Sequence, residues 1–457
     1  MILIDTHSHL DFPDFDRDRD QAIERARDAG VAYIINIGSS VEASKRSVEL
    51  SEEHDNVYAS VGVHPHYAKD VKGAIPQDLK KLFERTKVVA VGETGLDYYR
   101  NLSPKEEQIS LFKEFIELSL DKNLPLVIHS REAHEDTLKL LKGLSRGGIK
   151  GVMHCFSGTE EYLNECLALG LFISFTCSLT FKNAKALRVI AEKVPLERLL
   201  IETDAPYMAP QELRGKRNEP SYLTHLVKEL SGLHGHSVDD IARITTHNAK
   251  TLFGLPMEEG ARIVYPIRDS LYINMTNRCT NDCAFCVRLS RDFVKGHNLK
   301  LEKEPTVEEI IEAMGDFSAY KEIVFCGYGE PTLRLDDVKT IAGYAKDKGL
   351  RTRLITNGEG NLIHKRSIAK ELSGIIDKVS ISFNVDTAEM YDDICKSRFG
   401  RGVFDKIKEF ARECRDAGIK VEATFLDLPG VDIGNCERIA TEELKVDFRL
   451  RRLDAVG

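Results

Sequence analysis

Residues 2–9 read ILIDTHSH. An apolar, β-branched run passes straight into two imidazoles two positions apart, and the period of two in a strand sets His7 and His9 on one face. The run predicts a strand whose C-terminal end carries chemistry. Working outward, comparable runs stand at 32–37, 57–63, 87–92, 125–129, 149–154, 171–176 and 198–203. Amphipathic stretches separate most of them, such as 104–122 (PKEEQISLFKEFIELSLDK), with apolar positions three and four apart. Eight strands with intervening helices in about 250 residues fit a (β/α)8 TIM barrel. An open doubly wound sheet would need fewer strands and a glycine-rich first turn, which is missing here.

In such a barrel the reactive groups gather where strands end. Polar ligand types stand at those positions: His7 and His9 on the first strand, Glu93 after the fourth, His129 on the fifth, His154 on the sixth and Asp204 after the eighth. Four imidazoles and two carboxylates from five strands could hold two divalent cations, with Glu93 bridging them. A single core histidine is more often a partner of a backbone carbonyl than a ligand, so the joint placement carries the reading.

A second alternating series follows a linker expected at 256–268, with strands near 271–275, 322–326, 350–355, 378–383, 419–425 and 447–452. Six strands make a partial barrel or an open α/β layer. The expected division is therefore 1–255, linker 256–268 and 269–457. Three cysteines in eight residues mark the second part: 276–288 read TNRCTNDCAFCVR, and Cys279, Cys283 and Cys286 follow C-x3-C-x2-C. Three thiolates on one loop can bind three irons of a [4Fe–4S] cube and leave the fourth open. Zinc would need a fourth ligand, for which His297 is the nearest candidate. Cys326, Cys395, Cys414 and Cys436 lack such spacing and read as small buried residues.

Composition narrows the function. The 457 residues are 42% apolar and 30% charged, with 64 basic and 73 acidic side chains and a net charge of −9. Residues 1–256 hold 32 basic and 38 acidic groups, and 257–457 hold 32 and 35. Neither part can coat nucleic acid electrostatically, so any such contact must be local. No run approaches ~18 apolar residues, and Asp5 interrupts the N-terminal run at once. The sequence therefore predicts a cytoplasmic protein with no membrane span. Ten cysteines without an export signal point to metal or cluster chemistry over disulfides.

The ordered motifs DTHSHLD, GVHPH, GETGLDYY, HSREA, HCFSG, ETDAP and RGKRNEP make residues 1–255 resemble the TatD family of metal-dependent hydrolases. The resemblance implies two divalent ions (Mg, Mn or Zn), one held by His7, His9, Glu93 and Asp204, the other by His129, His154 and the shared Glu93. It implies a deoxyribonuclease acting at DNA ends, with deacylation of mischarged tRNA or another ester or amide as the alternative. Paired cations activate water for attack on phosphorus. Glu93, Asp204 as general base and His64 as donor to a phosphate oxygen are the expected catalytic groups, with His66 beside them. Arg131, Arg214, Lys216 and Arg217 form the expected substrate-binding cluster.

The cysteine loop, with Phe285 before its last thiol, resembles the radical S-adenosylmethionine superfamily over about 265–457. The resemblance implies a partial (β/α)6 barrel, one [4Fe–4S] cluster, S-adenosylmethionine and an electron donor such as flavodoxin or ferredoxin. Gly327-Tyr328-Gly329-Glu330-Pro331 is a variant of the family's GGEP turn, departing from it at Tyr328. By the same resemblance Gly327, Gly329, Glu330, Asn357, Ser382 and Asn384 would contact the cofactor. The short second part leaves little room for a substrate module, so a large substrate or the hydrolase part would cover it. A non-enzymatic alternative makes one part a scaffold or redox sensor for the other.

Overall fold

The computed structural model describes residues 1–144, 148–257, 260–289 and 292–452. They form two compact units, Met1–Met257 and Glu258–Gly457.

The first unit is an eight-stranded parallel sheet in sequence order: β1 (Leu3–Ser8), β2 (Val31–Ile37), β3 (Val57–Val61), β4 (Val88–Asp97), β5 (Leu126–Arg131), β6 (Gly151–Met153), β7 (Phe172–Phe175) and β8 (Leu199–Ile201). A parallel bridge between Ser8 and Ala205 brings β1 against the residues that follow β8. The Asp204 N–H donates to the His7 carbonyl at 2.9 Å, and the His9 N–H to the Ala205 carbonyl at 2.8 Å. The sheet thereby comes nearly full circle, and the closing bonds lie at the residues expected to bind metal.

Each expected strand is present, and β4 runs five residues past its expected end. The helix expected at 104–122 spans Lys105–Lys122; it follows Pro104, buries Phe112 and Phe115, and stops at Asn123 in the left-handed region. Burying each phenylalanine contributes about 1.5–3 kcal/mol. The helix Val238–Phe253 starts on a capping box between Ser237 and Asp240. Its Ala249, Leu252 and Phe253 pack with Ile4, Val127, Val152 and Leu200, which stand low on their strands. That end of the sheet is sealed with hydrocarbon, and the opposite end is left for polar side chains.

The second unit is a mixed seven-stranded sheet. Its strands are β9 (Val264–Ile267), β10 (Ser270–Ile273), β13 (Glu322–Phe325), β14 (Arg351–Thr356), β15 (Lys378–Asn384), β16 (Lys420–Asp427) and β17 (Asp447–Arg452), in spatial order β17-β16-β15-β14-β13-β10-β9. A short ribbon pairs β11 (Phe293–Val294) with β12 (His297–Asn298). The six expected strands are parallel to one another. β9 lies inside the stretch expected to be linker and pairs antiparallel with β10, so the sheet has a strand the sequence reading missed. One face of the sheet packs Ile273, Phe325, Leu354, Val379, Val421 and Phe425 against the helices. Among the described residues no helix is long and apolar enough to cross a membrane.

Candidate metal centre and cysteine loop

β1 delivers His7 and His9 side by side, with their Nε2 atoms 3.2 Å apart. Asp204, held at φ 55° after β8, places Oδ1 3.7 Å from His7 Nε2 and 3.6 Å from His9 Nε2. β4 brings Glu93 between two groups of imidazoles. Its Oε2 lies 3.6 Å from His7 Nε2 and 4.0 Å from His9 Nε2. Its Oε1 lies 2.9 Å from His129 Nδ1, 3.4 Å from His154 Nε2 and 3.5 Å from His64 Nε2. All six expected ligands thus meet at one end of the sheet. By position, three groups among the described residues could each hold a cation: His7, His9 and Asp204; His7, His154 and Glu202; and His64, Glu93 and His129.

The approach of β4 to β5 depends on glycine. Gly95 has φ 141°, and a Cβ there would lie 2.0 Å from the His129 carbonyl oxygen. Any side chain would push Glu93 and His129 apart.

Hydrogen bonds decide which ring nitrogen has a free lone pair. His9 Nδ1 lies 3.1 Å from the Ile37 carbonyl and must carry the proton there, which frees Nε2. His154 Nδ1 lies 3.0 Å from Glu202 Oε1, with the same result. His129 Nε2 faces Asp97 Oδ2 at 3.2 Å, leaving Nδ1 toward Glu93. His64 is reversed: its Nδ1 accepts the His66 N–H at 3.2 Å, so Nε2 holds the proton of the neutral ring. His66 itself reaches Asp97 Oδ2 at 2.8 Å. Asp97 and Glu202 were missed by the sequence reading, although both stand beside ligands in the quoted motifs GETGLDYY and ETDAP.

The buried charges of the site act strongly on one another. Burial raises the Glu93 carboxyl, but His64, His154, His129 and His7 outweigh it and hold the group well below the usual carboxylate range. Burial and the neighbouring His154 keep His7 well below the ordinary histidine value. Burial also lowers His154, but Glu202 and Glu93 overcome it and raise the ring to about 10. The site therefore pairs buried anions with buried imidazoles.

The donor set fits divalent cations. Two nitrogens at about 2.0–2.1 Å from one ion stand about 3.0–3.4 Å apart, and the two Nε2 atoms of β1 are within that span. Both nitrogens also lie within 4.0 Å of Glu93 Oε2 and Asp204 Oδ1.

The residues expected to touch substrate divide. Arg131 is exposed, with its guanidinium 4.2 Å from the centre of the Tyr99 ring. Arg214 and Lys216 are exposed, and Arg214 sits 4.1 Å over Phe181. Arg217 is engaged elsewhere: it pairs with Asp18 at 2.5 Å, approaches Glu219 at 3.4 Å and stacks 4.3 Å over Phe15. Its charge is compensated within the protein, so it anchors its loop. Three exposed tyrosines that the sequence reading did not single out also stand here. Tyr67 follows His66, Tyr99 lies two residues after Asp97, and Tyr207 lies three after Asp204, each 45–54% exposed.

In the second unit, Cys279, Cys283 and Cys286 are half-buried on one loop, and all three thiols act on the Arg288 guanidinium. The loop is clamped to residues 394–398. Asp282 N–H donates to the Cys395 carbonyl at 3.1 Å, Ala284 N–H to Ile394 at 2.9 Å, and Arg398 N–H to Thr280 at 2.9 Å. A hydrogen bond with the Cys395 thiol, together with burial, raises Cys283. Cys395, Cys414 and Cys436 are buried as expected, whereas Cys326 is half-buried at the end of β13.

The turn after β13 is tight. A Cβ on Gly329 would lie 2.2 Å from the Arg278 carbonyl oxygen, which ties the turn to the cysteine loop. Glu330 is buried: its Oε1 accepts from Thr332 and Thr356, and its Oε2 accepts from the Asn357 N–H at 2.8 Å. Asn357 donates to Thr280 at 2.7 Å and accepts from the Glu359 N–H. These two side chains hold loops together, leaving backbone groups as the turn's contribution to a ligand. Asn384, at φ 66°, donates to the Cys395 sulfur at 3.5 Å, and Ser382 is half-buried on the sheet.

Residues 4–254 match the family described as TatD related DNase. The chain belongs to the TatD family. Residues 273–441 match the radical SAM superfamily, so a TatD-like metal hydrolase domain is fused to a radical SAM domain. The chain is 41% identical over 252 residues to the uncharacterized metal-dependent hydrolase YabD of Bacillus subtilis, covering 55% of this chain and 99% of that one. It is 37% identical over 259 residues to a protein of Erwinia amylovora named 3'-5' ssDNA/RNA exonuclease TatD, covering 55% and 100%. The crystal structure of YJJV, a TatD homolog from Escherichia coli k12, aligns with a TM-score of 0.52 at 35% identity, over 56% of this chain and 98% of that one.

Proposed function

We propose that the TatD domain holds two divalent cations and removes nucleotides from the end of a single-stranded nucleic acid. One observation carries the reading: the two oxygens of Glu93 face separate imidazole groups, Oε2 toward His7 and His9, Oε1 toward His129 and His154. His7, His9, Asp204 and Glu93 Oε2 would hold the first cation; His129, His154 and Glu93 Oε1 would hold the second. Bound there, the cations would supply Lewis acidity toward a phosphoryl oxygen and toward water. Asp204 accepts the proton of the attacking water. His64, whose Nε2 bears hydrogen, donates to a phosphate oxygen in preference to acting as a ligand. Arg131 on Tyr99 gives the strand a cationic, aromatic step next to the centre. The relative named as a single-strand exonuclease supports this substrate.

The second domain is a radical enzyme in this reading. Cys279, Cys283 and Cys286 would hold a [4Fe–4S] cluster, and the backbone of Gly327 and Gly329 would receive S-adenosylmethionine, with Ser382 and Asn384 nearby on β15. The cluster would supply one electron for reductive cleavage of that cofactor. The electron would come from a flavodoxin or ferredoxin. The sheet, with six parallel strands, would serve as the partial barrel of such enzymes.

The test is mononucleotide release from a labelled single strand by the full chain with Mg, Mn or Zn. Glu93→Gln should abolish it. Full activity in that variant, or release of an acyl group in place of nucleotides, would overturn the reading.

A further inference from the structure

The residues of β17 alternate between two faces. Phe448 sets its ring 5.8 Å from Phe425 on the core face. Arg449 turns to the other face, where its guanidinium lies 3.5 Å from Glu422. Arg451 follows at the strand period, level with Leu426 of β16. The two guanidinium stems are therefore about 6.7 Å apart along the strand and point to the same side.

That face is cationic in excess. Glu322 accepts Arg353 at 3.0 Å. Glu422 accepts Lys378 at 2.7 Å, the Ser380 hydroxyl at 2.9 Å and Arg449 at the longer distance. Glu330, the other acid acting on Cys326, is buried and bonded to its own turn. Among the described residues, six cations alternate onto this face (Arg351, Arg353, Lys378, Lys420, Arg449 and Arg451) against three acids that are already paired, Glu322, Glu422 and Asp447, the last with Lys420 at 3.1 Å. Arg451 makes no ion pair among the described residues, and the Arg353 Nε is buried without a partner. The two guanidiniums are also close enough to act on one thiol. Burial pushes Cys326 up to about 11, and Arg451 and Arg353 pull against it. Since β17 and β13 are separated by three strands in the sheet, the face must curve toward itself for both charges to reach Cys326.

We propose that this face binds an oxyanion, phosphate or carboxylate, carried by the substrate of the radical domain, with Arg449 and Arg451 as its direct contacts. A guanidinium fork matches such a group with two parallel hydrogen bonds, and two forks on alternate residues bracket it. The proposal depends on the radical reading only for the ligand being a substrate; oxyanion binding needs no cluster. Charged groups on an edge strand also deter pairing with another strand, but a guard of that kind binds no ligand.

The full chain is titrated calorimetrically with pyrophosphate and with citrate, alongside Arg449→Ala/Arg451→Ala. The hydrolase site contributes equally to both proteins, so the difference belongs to the arginines. The expected result is a loss of about tenfold or more in affinity for one or both probes, and the preferred probe separates phosphate from carboxylate. Arg449→Lys/Arg451→Lys should fall between. If the double alanine variant fails to fold, Arg451→Ala alone carries the test, because that side chain makes no ion pair among the described residues. Unchanged affinity in the alanine variants, or no saturable binding by the wild type, overturns the proposal. So does competition by S-adenosylmethionine on the reconstituted protein, which would place the arginines in the cofactor site. Absence of iron and of S-adenosylmethionine cleavage would instead remove the radical reading and leave the binding result standing.

Discussion

Glu202 Oε1 lies 3.0 Å from His154 Nδ1 and also accepts the Cys155 N–H at 2.6 Å. The carboxylate fixes both the tautomer of His154 and the turn that presents it. Groups in this position orient a metal-binding ring, and losing one typically costs about 10–100-fold in metal affinity. Glu202→Gln retains the shape but offers the ring a neutral partner. The expected outcome is weaker binding of Mn or Zn by about that factor, read by competition with a chromophoric chelator. Unchanged affinity would show that Glu202 serves the fold alone.

Arg25 and Arg217 meet on Glu219, whose carboxylate is nearly buried. Burial raises the Glu219 carboxyl, but the Arg25 hydrogen bonds, Ser221 and the charge of Arg217 outweigh it and leave it below its ordinary value. A lowered folded value means that the contribution to stability is complete above the unfolded value near 4.5. It is lost as pH falls through the folded value. Arg25→Ala should destabilise the first domain by about 1–3 kcal/mol at pH 7, with the gap from wild type closing below pH 4. Urea melts at pH 7 and pH 3 give the comparison. An equal gap at both would assign the loss to packing of the Arg25 stem.

Tyr67, Tyr99 and Tyr207 present exposed rings shortly after His66, Asp97 and Asp204 in the chain. Tyr207 sets its ring 6.2 Å from Phe12, edge to face, and its N–H donates to the Asp204 carbonyl at 2.9 Å. Base stacking on such a ring contributes about 1–3 kcal/mol. Tyr99→Ala should raise KM for a single-stranded oligonucleotide by roughly five- to a hundredfold, with kcat little changed, and Tyr99→Phe should restore it. An abasic strand of the same length, with no base to stack on the ring, should lose less. Equal loss on both substrates would assign the tyrosine to the reacting centre.

The convergence of His7, His9, Glu93, His129, His154 and Asp204 was legible because strand ends alternate regularly and six polar residues fell on them together. Arg217 was not, since its partner Asp18 is 199 positions away and a run of basic residues reads the same whether free or paired. The bonding of Glu330 was not legible for a related reason. A carboxylate in a ligand-like turn looks available in sequence, and only the structure shows Thr332, Thr356 and Asn357 occupying it. β9 escaped notice because VYPI is four residues long and carries Pro266, whose missing N–H argues against a strand. It is tolerated because β9 is the edge of its sheet.

Cys395 offers a fourth thiol beside the cysteine loop, hydrogen-bonded to Cys283 and accepting from Asn384 at 3.5 Å. Its position in the core cluster and its full burial set it apart from the three half-buried thiols. A cube with one open iron needs three protein ligands, so the fourth thiol should be dispensable to it. Cys279→Ala, Cys283→Ala and Cys286→Ala should each lose the visible cluster absorption after anaerobic reconstitution. Cys395→Ala should keep it, at a cost of about 1 kcal/mol in stability for the small core void. Loss of absorption in Cys395→Ala with retention in Cys283→Ala would transfer the third ligand from the loop to the segment that clamps it.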